Sequence, residues 1–522
     1  MRRLIATTTV VILVLAGGST ASAAVDPAGR ASGASPYPPN CHGAAQNGTL
    51  FVGSEVEPWV DVDPTNPDRL VAVYQQDRFS NGGASGQGVS VSTDGGTTWS
   101  QLPLAAWPKF SRCNGAVPGS AGDFERATDP WVSFGPDGTA HQISLAFNDT
   151  RDLANAILVS RSTDGGTTWG PVQTIRFDGD PHVFNDKESI TADWTNGTFV
   201  YAIWDRLVFP QERSRGQSFR TTAAFRGPTW FARSTNGGTS WEPARSIFDP
   251  GQNDQTIGNQ IAVLPDGDLA NLMTVFRNDN GEGRKGGFAS LLRSTDNGAN
   301  WSAEIPISRL GTVGVRDPLT GQDVRTGDII PDIATDRRPG TDNVYAVWQD
   351  ARFTGFARDQ IAFARSGDGG LTWSAPVRIN AVPTTQAFTA SIEVDAAGNL
   401  GVTYLDFRND SAATAALETD LWFLRSTNGG ASWSEERVTP ASFDMRSAPF
   451  AGGFFVGDYL GLAATGTTFK PFWSQSLPSG TDTFGTSVHA PFPAPTIIPD
   501  PAEGAGVADA DFPVHHGRPA PA

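Results

Sequence analysis

The chain has 522 residues with 55 acidic and 38 basic side chains, so its net charge at pH 7 is −17. A balance this acidic disfavours nucleic acid and anionic membranes as general partners. Beyond the first segment, no apolar run approaches the ~20 residues that a membrane helix needs, so the sequence predicts no membrane span.

Residues 1–23 have the three parts of a secretory signal peptide. Arg2 and Arg3 form the charged start, Leu4–Leu15 the apolar stretch, and Ala21–Ala23 a small-residue cleavage site. The sequence therefore predicts a secreted, extracellular protein. We expect residues 24–46 to be a flexible segment, residues 47–490 to form one large domain, and residues 491–522, rich in Pro and Ala, to be a disordered tail.

The two cysteines of the chain occupy matching places. Cys41 lies 16 residues before Glu57, and Cys113 lies 16 residues before Asp129. Export favours oxidation, so we predict a disulfide between them. The alternative is a pair of buried free thiols.

One turn motif recurs along the domain. Ser92–Trp99 and Ser162–Trp169 share the same eight residues, SerThrAspGlyGlyThrThrTrp. Looser copies follow at Ser234–Trp241, Ser294–Trp301, Ser366–Trp373 and Ser426–Trp433. The Asp or Asn fixes a turn through its side chain, the glycines supply positive φ, and the Trp begins a return strand. Six copies about 60–72 residues apart predict one module used repeatedly.

These motifs resemble the Asp-box, or bacterial neuraminidase repeat, of the sialidase-like (neuraminidase) β-propellers. The resemblance implies an all-β propeller of four-stranded blades over residues 47–490, with the boxes on the face opposite the functional site. Asn236 and Asn428 replace the Asp in two copies, which indicates a structural rather than a catalytic role for the boxes.

Seven pairs of strand signals, one more than the boxes, favour seven blades, with the six-bladed sialidase type as the alternative. The last pair includes Phe469–Gln475. In the seven-bladed arrangement, Phe484–His489 supplies a third strand for the last blade. Asn47–Gly53 then supplies its outer strand and closes the ring.

In such blades the loops entering the first strand and leaving the second strand share one face. This places two sets of polar residues around one site. The first set is Glu57, Asp129, Glu188, Asn259, Asp332 and Asp458. The second set is Asp77, Arg78, Asp149, Arg151, Asp205, Arg206, Arg277, Asp350, Arg352, Asp406 and Arg408. Such a ring suits a carbohydrate, and paired carboxylates suit glycoside hydrolysis. The alternative is that the Asp–Arg pairs are local salt bridges.

Further basic residues are expected near this face. A long loop after Arg206 carries Glu212, Arg213, Arg215, Arg220 and Arg226, and is predicted to be a mobile lid or a solvated insertion. Segments around Arg126, Arg316, Arg325 and Arg446 also enter first strands and could reach the site.

The resemblance to sialidases implies particular roles. Tyr459 is the candidate nucleophile, Glu188 its activating partner and Asp129 the candidate acid/base; Arg352, Arg408 and Arg446 are candidates for the arginine cluster that holds a substrate carboxylate. The resulting hypothesis is a secreted, monomeric glycoside hydrolase, plausibly an exo-alpha-sialidase.

Two other functions stay open, a non-catalytic propeller that binds a glycan or protein and a carbohydrate lyase. The acidic ring could hold Ca²⁺ through oxygen ligands, but no compact metal-loop spacing occurs, so we predict neither a metal site nor a cofactor.

Overall fold

The computed structural model describes residues 24–209, 226–278, 285–508 and 511–513. The expectation of an all-β protein is confirmed, since the described chain is built of antiparallel strands with three short 3-10 helices, Leu104–Ala106, Arg352–Thr354 and Met445–Ser447. None of the described helices is long and apolar enough to cross a membrane. The predicted signal peptide and Glu212, Arg213, Arg215 and Arg220 of the predicted lid lie outside these residues.

The strands form seven consecutive units, in each of which neighbouring strands in the chain pair antiparallel. Unit 1 comprises Leu50–Val62, Leu70–Phe79, Ala84–Ser92 and Ser100–Gln101. Unit 2 comprises Arg126–Phe134, Ala140–Phe147, Asn155–Ser162 and Gln173–Asp178. Unit 3 comprises Val183–Ala192, Val200–Val208, Thr229–Ser234 and Arg245–Phe248. Unit 4 comprises Gln255–Val263, Leu269–Asn278, Lys285–Ser294 and Ile305–Arg309. Unit 5 comprises Asp332–Thr335, Val344–Asp350, Gln360–Ser366 and Val377–Arg378. Unit 6 comprises Ala387–Val394, Leu400–Asp406, Glu418–Ser426 and Ser434–Arg437. Unit 7 comprises Gly461–Thr465, Thr468–Leu477 and Gly480–Gly485.

Unit 7 is completed by the start of the chain and not by Asn47–Gly53. Gly29–Arg30 pairs with Gly480–Gly485, and Ala24–Val25 pairs with Val488–His489. The expected outer strand is instead the beginning of the first strand of unit 1, because Leu50 already pairs with Phe79. A single parallel bridge, from Ser54 to Thr481, links the two units there.

Buried apolar clusters join the units in a closed ring. Each successive pair of units shares one, from units 1 and 2 through to units 6 and 7. The ring closes because Val60 and Leu70 of unit 1 pack with Ala463 and Phe472 of unit 7. This arrangement is consistent with a β-propeller, in which neighbouring twisted sheets bury their faces against each other.

The box turns contribute hydrogen bonds between units. Each box begins where its third strand ends, beside the loop that joins strands one and two: Gly95 N donates to Asp68 O at 2.8 Å. Arg161 of unit 2 donates to the box carbonyl of Gly237 in unit 3 at 3.2 Å. Lys470 of unit 7 donates to Gly95 O in the box of unit 1 at 2.6 Å, so a bond of the same kind joins the last unit to the first.

A small additional sheet covers the opposite end of the ring. It consists of Val315–Arg316, Asp323–Arg325 and Phe454–Phe455, contributed by long connections before units 5 and 7. Phe455 of this sheet is fully buried. Arg78 of unit 1 lies over the Phe455 ring at 4.9 Å, so this sheet packs on one of the charged strand ends singled out from the sequence.

Candidate functional site

The first strands of five units carry the same irregularity. Each has a β-bulge with one residue in the left-handed region: Glu57 at φ 52°, Asp129 at 51°, Lys187 at 46°, Gly258 at 72° and Thr389 at 50°. A left-handed conformation costs a non-glycine residue about 1 kcal/mol or more. Bulges re-aim side chains. In units 1 to 3 the re-aimed side chains are charged and meet at the centre of the ring.

Lys187 is the centre of this charged cluster. Its Nζ lies 2.8 Å from Glu57 Oε1, 2.6 Å from Asp129 Oδ1 and 2.8 Å from Asp458 Oδ2. Arg325 also donates to Asp458, from Nε to Oδ1 at 2.9 Å. None of these four acidic and lysine side chains exceeds 3% exposure. The cluster therefore joins units 1, 2 and 3 to the segment that enters unit 7.

The pKa values follow from burial and from this crowding of charge. Burial alone would lower the pKa of Lys187, but the carboxylates of Asp129, Asp458 and Glu57 hold that pKa well above its usual value. Against burial, Arg325 and Lys187 hold the pKa of Asp458 far below its usual value. Burial raises the pKa of Glu57 to about 7, with Lys187 opposing and Asp129 and Asp458 adding to the rise. Lys187 and Asp458 therefore form the ion pair, and Glu57 binds a proton near neutrality.

The three predicted catalytic residues are gathered at this cluster, but not in nucleophile–base geometry. The hydroxyl of Tyr459 donates to the carbonyl of Pro130 at 3.3 Å. Among the described residues, Glu188 makes no hydrogen bond to that hydroxyl. Burial, followed by the charges of Glu57, Asp129 and Glu188, raises the pKa of Tyr459 well above its usual value. A buried, protonated tyrosine without a base is a poor nucleophile.

Glu188 lines a small pocket with Lys187 and Tyr459, but its carboxylate is bonded elsewhere. Its Oε1 accepts from the backbone N–H of Leu145, and Oε2 has no hydrogen-bond donor among the described residues. Burial raises its pKa well above the usual value. The bulge register makes Lys187, not Glu188, the equivalent of Glu57 and Asp129. Glu188 is instead the equivalent of Pro58 and Pro130.

The predicted substrate-binding arginines lie apart from one another in separate bonded pairs. Arg352 pairs with Asp350 at 2.6 Å and Arg408 with Asp406 at 2.6 Å, both within one strand end. Arg446 pairs with Asp317 at 2.7 Å and Arg206 with Asp178 at 2.7 Å. For these four the local salt-bridge alternative describes the contacts. Among the described arginines singled out from the sequence, Arg78 and Arg325 lie over Phe455, at 4.9 Å and 4.2 Å.

The remaining predicted acids each accept hydrogen bonds from neighbouring segments of the chain. Asp77 accepts from Ser35 Oγ at 2.7 Å and from Gly53 N at 2.9 Å. Asp205 accepts from Thr256, Gly258 and Asn259. Asp332 accepts from Ser391 Oγ at 2.7 Å and Ile392 N at 2.9 Å. They stabilise the ring from within, since buried carboxylates need such donors.

The disulfide joins Cys41 to Cys113, as the sequence predicts. His42 is close to both sulfurs. Because the two sulfurs are bonded to each other, they do not offer thiolate ligands to a metal. Their role here is to tie the first segment of the chain to the connection between units 1 and 2.

The open space of the ring lies on its axis, beyond the charged cluster. A cavity of about 300 Å³, here called the axial cavity, is lined by residues of the first strands of all seven units. Trp59 and Trp131 form one wall, with their rings stacked at 3.4 Å. Asp61, Gln260 and Glu393 contribute polar atoms, and the exposed Arg337 lies at its mouth among the loops between strands one and two.

No protein-family model and no curated protein sequence matches this chain. Among solved structures, it is similar to a Hadza microbial sialidase, Hz136, at 14% identity and a TM-score of 0.44, covering 80% of this chain and 76% of that one. It is similar to the alpha-L-arabinanase of Penicillium chrysogenum at 12% identity and a TM-score of 0.44, covering 85% and 97%. It is also similar to an alpha-L-arabinofuranosidase of Fusarium graminearum at 14% identity and a TM-score of 0.40, covering 74% and 93%.

Sequence reasoning missed both Lys187 and the axial cavity. The residues that follow Lys187 carry the signal for it. Ser189-Ile190-Thr191 aligns with Trp59-Val60-Asp61 only when Lys187 is aligned with Glu57. The signal for the cavity is Asp61 itself, two residues after Trp59 and so on the same face of the strand.

Proposed function

We propose that this protein is an exported seven-bladed β-propeller that binds carbohydrate without cleaving it. In this proposal the seven units are the blades. The boxes form turns at the end of the ring opposite the small covering sheet. The carbohydrate class comes from the resemblance of the six boxes to those of the sialidase-like propellers. Export rests on the signal-peptide pattern of residues 1–23.

The observation that carries the absence of cleavage is the position of Lys187. Its ammonium lies at the meeting point of Glu57, Asp129 and Asp458, where a glycosidase needs room for a scissile bond. The hydroxyl of Tyr459 is at the same time bound to a backbone carbonyl. With the acids paired and the tyrosine protonated, the charged cluster supports the ring rather than a reaction.

The test compares binding with turnover. The purified mature protein is applied to a glycan array and incubated with aryl glycosides that include an aryl alpha-sialoside and an aryl alpha-L-arabinofuranoside. We expect glycan binding and no release of the aryl alcohol. Release of product at a rate proportional to protein concentration would refute the non-catalytic proposal.

One observation favours glycoside hydrolysis as a second candidate. Tyr459, Glu188 and Asp129 are gathered at one buried cluster, and both Asp129 Oδ2 and Glu188 Oε2 have no hydrogen-bond donor among the described residues. A buried carboxyl group with a raised pKa beside a tyrosine, as at Glu188, is typical of catalytic sites. Hydrolysis would require Lys187 to leave the cluster so that substrate could enter.

A pair of tyrosine variants separates the two candidates. If the protein is a glycosidase using Tyr459, Tyr459→Phe loses at least about 100-fold in turnover, because the nucleophile is removed. Tyr345→Phe is the matched control, since Tyr345 is buried between sheets and stacks on Phe363 at the box end. Equal turnover in both variants would exclude the tyrosine mechanism.

A further inference from the structure

We propose that the axial cavity binds a neutral glycosyl residue, so that the carbohydrate site lies at the box end of the ring and not at the charged cluster. This inference rests on the carbohydrate function proposed above. Given a carbohydrate ligand, the lining of the cavity decides between neutral and acidic sugars.

The shape and the walls of the cavity suit a single sugar ring. Its volume of about 300 Å³ is at the lower end of the range for small-molecule sites. Trp59 and Trp131 line it and are stacked on each other. An indole surface offers apolar contact to one side of a ligand while its N–H offers a donor. The pair therefore suits a ring that is apolar on its face and polar at its edge.

Gln260 shows that the cavity holds unused hydrogen-bonding capacity. Its side chain is 6% exposed and lines the cavity, yet its amide makes no hydrogen bond to any described residue. An amide carries two donor hydrogens and an acceptor oxygen, which here remain available to a ligand in the cavity. A hydroxyl group can both donate to and accept from such an amide, so a hydroxyl-rich ligand would satisfy it.

Two carboxylates decide between neutral and acidic sugars. Asp61 Oδ2 accepts from Phe134 N at 2.7 Å, and Glu393 Oε1 accepts from Val394 N at 2.8 Å. Each oxygen has a second lone pair, so both side chains can accept hydroxyl hydrogens. A carboxylate ligand would be repelled by them, with Arg337 at the mouth as the only compensating cation among the described lining residues. The site therefore favours hexoses and pentoses over sialic or uronic acids.

The axial cavity is separate from the charged cluster. The ring of Tyr459 packs on Trp59 at 6.1 Å and on Trp131 at 5.3 Å, so the two indoles lie between the cluster and the cavity. The mouth is formed by Pro64, Pro136, Trp194 and Arg337, from loops that join first and second strands. A ligand would enter from the side on which the boxes begin, without disturbing Lys187.

The experiment titrates methyl glycosides of neutral hexoses and pentoses, and the methyl glycoside of N-acetylneuraminic acid, into the full mature protein by calorimetry and tryptophan fluorescence. Three variants change the cavity: Ala262→Phe fills it, Gln260→Ala removes the free amide, and Glu393→Gln removes a charge. Glu242→Gln is the matched control, because Glu242 pairs with Arg233 outside the cavity. Melting temperatures check that every variant is folded.

We expect a neutral glycoside to bind wild type and Glu242→Gln alike. Ala262→Phe should weaken binding by at least about 10-fold by excluding the ring, and Gln260→Ala by about 5-fold through the loss of one hydrogen-bonding group. Glu393→Gln should narrow the preference for neutral over acidic glycosides.

Neutral-sugar binding that a folded Ala262→Phe variant retains in full would overturn the site while leaving the proposed function intact. Preferential binding of N-acetylneuraminic acid would overturn the ligand class. Binding of no carbohydrate by wild type, either here or on the glycan array, would refute the proposed function and this inference with it.

Discussion

Lys187 Nζ and Asp458 Oδ2 lie 2.8 Å apart, although 271 residues separate them in the chain. The contact joins unit 3 to the segment entering unit 7, across the axis of the ring. Both side chains are nearly inaccessible, so their attraction is weakly screened by solvent. A buried pair of this kind specifies which strands meet at the axis, and removing one partner leaves an uncompensated charge.

Lys187→Met should therefore destabilise the protein strongly. The variant leaves Glu57, Asp129 and Asp458 without their shared cation, and we expect the free energy of unfolding to fall by about 3–5 kcal/mol. Urea unfolding measures the change. Lys109→Met is the control, because Lys109 is half-buried and, among described residues, donates only to the backbone carbonyls of Leu104 and Ala105. A loss below about 1 kcal/mol in Lys187→Met would contradict the structural role of the cluster.

Stability should fall as pH rises from 6.5 to 8.5. Burial raises the pKa of Asp332 to about 7 against 3.8 for an exposed aspartate, and burial raises that of Glu57 to about 7. The folded state therefore binds more protons than the unfolded state, and the stability these groups contribute is lost as pH passes through 7. Burial lowers the pKa of His42 and His141 to about 4, which acts in the opposite sense, but below pH 6.5.

Asp332→Asn isolates one of these groups. The uncharged amide removes one titration, so the loss of unfolding free energy between pH 6.5 and 8.5 should shrink by on the order of 1 kcal/mol. Thermal melts of wild type and variant at both values measure the slopes. Asp323→Asn, which alters an exposed ion pair with Arg316, should leave the slope as in wild type. Identical slopes in wild type and Asp332→Asn would sink the prediction.

The parts of the fold that follow from local sequence were predictable. The box turns need only a few contiguous residues, so their six copies indicate the repeat and its strand order. The matching offsets of Cys41 and Cys113 indicate the disulfide. The closure of unit 7 by Gly29–Arg30 was not predictable, because a two-residue strand carries no periodic signal and the pairing spans most of the chain.

The site was predictable in composition but not in register. A β-bulge adds one residue, and in a strand a shift of one residue turns a side chain to the other face. Aligning Glu188 with Asp129 therefore predicted that the glutamate points to the axis, and it overlooked Lys187. The covering sheet containing Phe455 was also invisible, since it is built from short strands far apart in the chain.

The box aspartates should act through their turns alone. Asp94 Oδ1 accepts from Thr98 N at 2.9 Å and Oδ2 accepts from Thr98 Oγ at 2.6 Å. Asn236 makes the corresponding bonds to Ser240, accepting from N at 2.9 Å and donating to Oγ at 2.8 Å. Asp94→Ala should thus cost about 1–2 kcal/mol of unfolding free energy, whereas Asp94→Asn should cost less than about 0.5 kcal/mol. Urea unfolding of both variants measures this, and an equal loss in the two would show that charge, not turn geometry, matters.

The disulfide should contribute substantially to stability. Cys41 and Cys113 close a loop with a sequence separation of 72, and the loss of chain entropy in the unfolded state predicts about 4–5 kcal/mol of stabilisation. The double variant Cys41→Ser/Cys113→Ser should lose this amount in urea unfolding, and wild type treated with a reductant should match it. The reductant should leave the double variant unchanged. Because the same segment brings Gly29–Arg30 to unit 7, hydrogen exchange in Gly480–Gly485 should also accelerate in the double variant. Unaltered stability together with unaltered exchange would show that the first segment holds its place without the bond.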